Sequence, residues 1–218
     1  MKKFLLVLAC AISTFTVSAQ YASDASSSFF SVQKSGQPVT FGIRGGVNFA
    51  KQAVSSDGYS YSPKNNVGFN IGVSVDIPMM ESLYLQSGLY YTVKGYKLEE
   101  DGETTKATPA YLEIPVLASY RYNFSDLTQL QINFGPYLAY GIGGKYKWEY
   151  EGESEDEKYF DSDDNRKFDA GLAFGAGMTF GHIFVGINYD LGLTNILKDS
   201  EGTSLKNRCL SINVGYNF

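Results

Sequence analysis

From Val39 onward the chain alternates apolar and polar residues with a period of two. The stretch "VTFGIRGGVNF" sets Phe41, Ile43, Val47 and Phe49 against Arg44 and Asn48, and "VGFNIGVSVDI" sets Val67, Phe69, Ile71, Val73, Val75 and Ile77 against Asn70, Ser74 and Asp76. The same alternation recurs at 83–94, 111–122, 130–142, 167–178, 183–192 and 209–218. The last segment places Leu210, Ile212, Val214, Tyr216 and Phe218 opposite Ser211, Asn213, Gly215 and Asn217. A repeat of two belongs to strands and does not fit the 3.6 of a helix. The pattern therefore predicts eight strands of roughly ten residues, the length that crosses a bilayer when tilted.

The connections alternate too. Long ones at Lys51 to Asn66, Gly95 to Pro109, Gly144 to Arg166 and Thr194 to Lys206 are separated by the short "PMMES", "NFSDLT" and "FGH". Tight turns at one end and long loops at the other are the layout of a membrane barrel with short periplasmic turns and long extracellular loops. Pro115 and Pro136 fall inside predicted strands. Each lacks an amide hydrogen for the sheet, so a bulge is expected at both.

The sign of the alternation then decides the solvent. One face carries nearly all the Leu, Ile, Val and Phe, while the other mixes Gly, Asn and Ser with charged residues. A soluble barrel of eight strands keeps its large apolar side chains inside, but about forty of them do not fit a lumen that only side chains can fill. Turned outward, they form an apolar belt too large for a soluble monomer, so the belt faces lipid. Tyr91, Tyr122, Tyr140, Tyr189 and Tyr216 lie near strand ends, where aromatic girdles meet the two interfaces. The predicted fold is all-β: an eight-stranded antiparallel transmembrane β-barrel.

Composition agrees with strands and turns: of 218 residues 17 are Tyr, 15 Phe and 23 Gly. The opening "MKKFLLVLACAISTFTVSAQ" combines Lys2 and Lys3, an apolar run from Phe4 to Ile12 and small residues up to Ala19. It reads as a signal peptide over 1–19; a lipoprotein signal with Cys10 as lipidated residue is the competing reading, opposed by the short apolar run before that cysteine. Residues 20–38 are Ser-rich and aperiodic, a flexible periplasmic leader, and 39–218 form the barrel. Cleavage leaves 16 basic and 23 acidic residues, a net charge of −7. Such a surface suits no nucleic acid. Cys209 is then the sole thiol, and no internal disulfide can form.

Candidate chemistry lies in two places. Arg44, Glu113, Arg121, Lys167, Asp169 and Asp190 are placed in the lumen, either as an ion path or as a charge network that plugs it; the narrow interior favours the plug, and Arg44 with Glu113 is the pair expected to meet. The loop "WEYEGESEDEKYFDSDDNRK" holds Glu149, Glu151, Glu153, Glu155, Asp156, Glu157, Asp161, Asp163 and Asp164. It is read as a solvated acidic loop, with divalent cations or a basic partner as the functional alternative. Its "DSDDNRKFDAGL" lacks the Gly at position six and the Glu at position twelve of a calcium-binding EF-hand. Glycine runs such as "GAGMTFG" have no following helix to receive a phosphate. His182, the only histidine, lies in a predicted turn far from the acidic loops, so no catalytic site, metal or cofactor is expected.

The segments "YLEIPVLASYRY", "NFGPYLAYGIGG", "FDAGLAFGAGM", "YDLGLTNI" and the terminal "VGYNF" resemble the small outer-membrane β-barrels called porin-family or PorT-type proteins, typical of Bacteroidetes. The resemblance covers about Val39 to Phe218. It implies a fold and an outer-membrane location more strongly than an activity. It also implies that Leu210, Ile212, Val214, Tyr216 and Phe218 act as the signal read by the barrel-assembly machinery. Three roles follow as expectations: a plugged structural or interaction protein acting through its acidic loops, a narrow channel for ions or small solutes, and an accessory factor in protein secretion. The partners expected are outer-membrane lipid, the assembly machinery and a surface or secretion-system protein. The sequence is silent on the oligomeric state.

Overall fold

The computed structural model describes residues 38–56, 59–61, 64–100, 103–150, 153–160, 165–198 and 202–218. Eight long strands form the barrel wall: β1 (Thr40–Ser56), β3 (Lys64–Pro78), β4 (Leu83–Val93), β7 (Ala110–Ser125), β8 (Thr128–Gly143), β11 (Phe168–Phe180), β12 (Ile183–Gly192) and β13 (Thr203–Asn217). Each pairs antiparallel with its neighbour in this order, and β13 pairs back onto β1 from Gly42↔Asn217 to Ser56↔Thr203. The sheet is closed. Closure removes the free edges that would otherwise leave backbone groups unpaired in hydrocarbon. At the seam the Phe218 amide donates to the Phe41 carbonyl at 2.8 Å, and on the other side of β13 the Asn217 amide donates to the His182 carbonyl, before β12, at 2.8 Å.

The long connections are not all irregular. Five further strands, β2 (Tyr59–Tyr61), β5 (Tyr96–Glu100), β6 (Glu103–Ala107), β9 (Lys145–Tyr150) and β10 (Glu153–Lys158), carry the sheet beyond the barrel on the extracellular side. β2 pairs with β1, whereas β5, β6, β9 and β10 follow one another outward from β3. Their shortness, three to six residues each, and their many charges had disguised these as loops, because strands outside the membrane need no continuous apolar stripe. Gly95 (φ 135°) and Gly144 (φ 138°) stand where β4 leads to β5 and β8 to β9. Both adopt a backbone conformation that side chains disfavour, and a Cβ at Gly144 would lie 2.6 Å from Pro109 Cα.

The prolines correct one expectation. Pairing between β4 and β7 lapses between Ser87↔Val116 and Tyr90↔Glu113, and pairing between β7 and β8 lapses between Pro115↔Tyr137 and Ala118↔Phe134, with the register unchanged on either side. Pro115 and Pro136 thus each withdraw a donor without inserting a residue, so no bulge forms at either. The Ser87 hydroxyl donates to the Pro115 carbonyl at 2.8 Å across the first gap. Register shifts occur instead at the ends of β7, near Ala110/Tyr111 and Asn123/Ser125.

The faces divide as the alternation demands. Ile71, Val73, Ile132, Ile187 and Val214 point outward and are exposed, whereas Asn48, Ser119, Gln131 and Asp169 are buried in the lumen. The lumen also holds an apolar cluster of Tyr111, Leu117, Tyr137, Ala139 and Ala173, with Phe160 packed against it. The outward belt ends at Tyr122, Tyr140, Tyr189 and Tyr216, all exposed. These are ring systems suited to headgroup depth.

Candidate functional site: the charged lumen

Alternation sends every second side chain of the eight strands inward, and the polar ones gather in two charged layers. The layer nearer the short turns centres on Asp76 of β3. Its carboxylate accepts from Gln86 Nε2 at 2.7 Å and lies 2.8 Å from Arg121 Nη2 and 3.8 Å from Arg44 Nη2. Arg44 Nη1 also donates to Gln86 Oε1 at 3.3 Å. Aromatic faces complete the two cations: Phe184 lies 4.0 Å below the Arg44 guanidinium, and Tyr84 lies 4.1 Å from that of Arg121.

The layer nearer the extracellular rim centres on Lys94, which follows β4 and is buried. Its ammonium lies 2.6 Å from Glu113 Oε2, 3.2 Å from Asp190 Oδ2 and 4.4 Å from the centre of the Tyr137 ring. Tyr137 in turn donates its hydroxyl to Asp169 Oδ2 at 3.2 Å, and Asn207 Nδ2 donates to the same oxygen at 2.9 Å. Above this layer Gln52 Nε2 donates to Asn207 Oδ1 at 3.0 Å and to the Tyr159 hydroxyl at 3.1 Å. Tyr159 is itself wedged against Tyr146 and Phe160, with ring centres 4.7 Å and 4.9 Å away. Burial at this extracellular cap pushes the Tyr159 hydroxyl well above the usual tyrosine range, so it stays protonated.

Between the layers lies a cavity of about 60 Å³ bordered by Arg44, Asn48, Tyr90, Glu113, Asp190 and Asn213. It has room for a few waters. Oδ1 of Asp190 and Oδ1 of Asp169 are buried and accept no hydrogen bond from the described protein groups. The layers differ in sign. Two guanidiniums surround one carboxylate below, whereas one ammonium faces three carboxylates above.

Of the six charges placed in the lumen by sequence, Arg44, Glu113, Arg121, Asp169 and Asp190 are buried there. Lys167 is not: it precedes β11, beyond the point where the strand enters the wall, and it is exposed. Nor do Arg44 and Glu113 pair, because they belong to different layers. Their partners are Asp76 and Lys94, which sequence reasoning had not counted in the network. The signal was available: both residues share the polar parity of their strands, Asp76 with Ser74 and Lys94 with Thr92. Tyr111, Leu117, Tyr137 and Phe184 were left unplaced by sequence reasoning, although they share the inward parity of Glu113, Asn133 and Asp190 on their strands.

The acidic loop is described in part. The backbones of Glu149, Glu153, Glu155, Asp156 and Glu157 lie in the β9–β10 hairpin, and the Glu157 side chain is exposed. Glu151, Asp161, Asp163 and Asp164 lie outside the described residues. Among the described residues no group of three or more His, Cys, Asp or Glu stands in metal-binding geometry. His182 sits in the turn before β12, its Nδ1 2.8 Å from the Asn217 carbonyl and its ring stacked on Tyr216. Leu210, Ile212, Val214, Tyr216 and Phe218 line the lipid-facing side of the β13 end, all exposed.

The chain is similar to the Yersinia pestis attachment invasion locus protein Ail (19 % identity, 84 % of this chain and 100 % of that one, TM-score 0.42). It is similar to OprG of Pseudomonas aeruginosa (12 % identity, 82 % and 95 %, TM-score 0.49) and to Neisserial surface protein A (13 %, 84 % and 100 %, TM-score 0.46). No curated protein sequence matches it. Residues 19–198 match the family described as outer membrane protein beta-barrel domain. That match spans every barrel strand but β13. The chain belongs to this family, and its place is the outer membrane of a Gram-negative bacterium.

Proposed function

We propose that the protein is a plugged barrel without enzymatic activity, which works as a structural and interaction protein through the strands and acidic tips that it holds above the membrane. The observation that carries this reading is the pair of charged layers, each spanning the lumen from facing strands and closed by aromatic rings. Eight strands leave room for side chains and little else. Function then moves to the extracellular side, where β5, β6, β9 and β10 extend the sheet. An acidic crown there suits a basic protein partner.

The test is conductance in planar bilayers of the chain from Gln20 to Phe218, once a heat-modifiable band shows it folded. The plugged reading expects silence from this protein and channel events from Lys94→Ala with Tyr137→Ala. Steady conductance in the unaltered protein would instead establish the narrow channel. The cavity between the layers, with the unpartnered Asp190 oxygen at its edge, favours that second reading. The likeness to PorT-type proteins of Bacteroidetes supports a role as accessory to protein secretion. Loss of export in a deletion strain is the result that reading requires, and normal export would sink it.

A further inference from the structure

The outer wall carries a feature that neither the plug nor the acidic crown uses. At the extracellular edge of the β1–β13 seam, Lys51 lies directly opposite Arg208, and Lys206 lies two residues beyond, opposite Ala53. All three are on the outward parity that begins lower down with Phe49 and Leu210. Lys51, Arg208, Asn65, Tyr189, Phe49 and Leu210 enclose a depression of about 210 Å³. Arg208 is held in place, its Nη1 donating to the carbonyls of Gly192 and Asn207. Lys51 and Lys206 meet no carboxylate among the described residues.

This depression does not stop at the interface. Tyr189 and Leu210 also border an apolar groove of about 590 Å³ that runs down the lipid-facing wall past Ile187, Ala176, Phe174, Phe134 and Ile132. The groove exists because Ala176, paired with Ile132 on one side and Ile187 on the other, is the small residue in a row of large ones. A basic pocket at headgroup depth thus opens into an apolar channel at acyl depth. The periplasmic turns, by contrast, hold Glu81, Asp126 and His182 and no lysine or arginine.

We propose that this seam is a binding site for one phosphate-bearing acylated lipid of the outer leaflet, a lipid A type of glycolipid, with its phosphate on Lys51 and Arg208 and one acyl chain in the groove over Ala176. The pieces match by charge and by polarity. Cations at a membrane surface attract anionic headgroups, and a guanidinium is suited to bidentate contact with phosphate. Apolar side chains below the cations keep the acyl chain out of water.

The experiment uses the protein purified from outer membranes, stripped of lipid in detergent and mixed with bis-phosphorylated lipid A or with the same lipid after removal of its phosphates. Native mass spectrometry counts the lipids retained. One phosphorylated lipid should stay bound in preference to its dephosphorylated form, a comparison that needs no variant. Lys51→Gln with Arg208→Gln should weaken retention about 30-fold, from about 1 kcal/mol per surface cation. Ala176→Phe, which fills the groove, should weaken it as well while the heat-modifiable band persists. Equal retention of the two lipids, or unchanged retention in the double variant, would overturn the site. So would displacement of the lipid by equimolar inorganic phosphate, since the acyl chain would then contribute nothing.

Discussion

Lys94 is the residue on which the upper layer depends. Among the described residues it is the one cation beside Glu113, Asp190 and Asp169, and removing it strands buried carboxylates that no other described cation neutralises. Breaking a buried ion pair from one side costs about 3–5 kcal/mol, because the orphaned charge loses its compensation. Lys94→Met should therefore lower folding stability by about that amount in urea titrations of the vesicle-bound protein. Adding Glu113→Gln should recover part of the loss. Geometry also ranks the arginines of the lower layer. Arg121 lies 2.8 Å from Asp76 and Arg44 lies 3.8 Å from it, so Arg121→Met should destabilise more than Arg44→Met in the same assay. That these side chains turn inward was legible from parity. Which of them meet was not, because strand stagger sets depth in a barrel, and depth cannot be read along one strand. Arg44 and Glu113 looked like partners on charge alone and lie a layer apart.

Among the elements, the barrel strands were the most legible part of the chain, since lipid on one side and a polar lumen on the other force a clean alternation. β12 spans Ile183–Gly192, as its pattern indicates, whereas β1 and β13 run several residues further into the extracellular side. There the alternation fades in β5, β6 and β10, while β9, "KYKWEY", keeps it in a run too short to stand out from the charged segment around it. The junctions to these extensions are glycine-dependent. Gly144→Ala should cost about 1–3 kcal/mol, from a conformation that a side chain disfavours. It should act on the extension more than on the wall. Trp148, the sole tryptophan, lies in β9 stacked on Tyr146 at 5.6 Å, so its emission reports that region. A shift in Trp148 fluorescence with the heat-modifiable band intact is the expected result. An unaltered spectrum together with a lost barrel band would show that Gly144 serves the wall instead.

The whole molecule is arranged by its surroundings along one axis. Outward side chains answer to lipid, inward ones to each other, and those above the rim to water. The cost of violating this order should depend on depth. Ile71, midway along β3 and 58 % exposed, faces the belt, so Ile71→Arg should cost about 2–4 kcal/mol in refolding equilibria with vesicles. Phe41→Arg, at the periplasmic end of β1, should cost about 0–1 kcal/mol. Equal penalties at the two positions would mean that the belt has been placed wrongly. Closed form and location were thus readable from the chain, because a bilayer imposes its demands on every strand. What the protein does above the membrane was not, because solvated residues are under no comparable constraint.

The pairing of β1 with β13 also dictates an order of events. Gly42 pairs early with Ser74 of β3, but on its other side it finds a partner only in Asn217, so the first strand waits for nearly the entire chain before its second ladder is complete. Until then two open edges face outward, each a template for another strand. Contacts of such long sequence separation form slowly, since the intervening segment must give up its freedom first. The polypeptide therefore spends its passage to the membrane as a chain that cannot fold by halves. Its wall can shut only when the two ends of the barrel sequence meet, in one step.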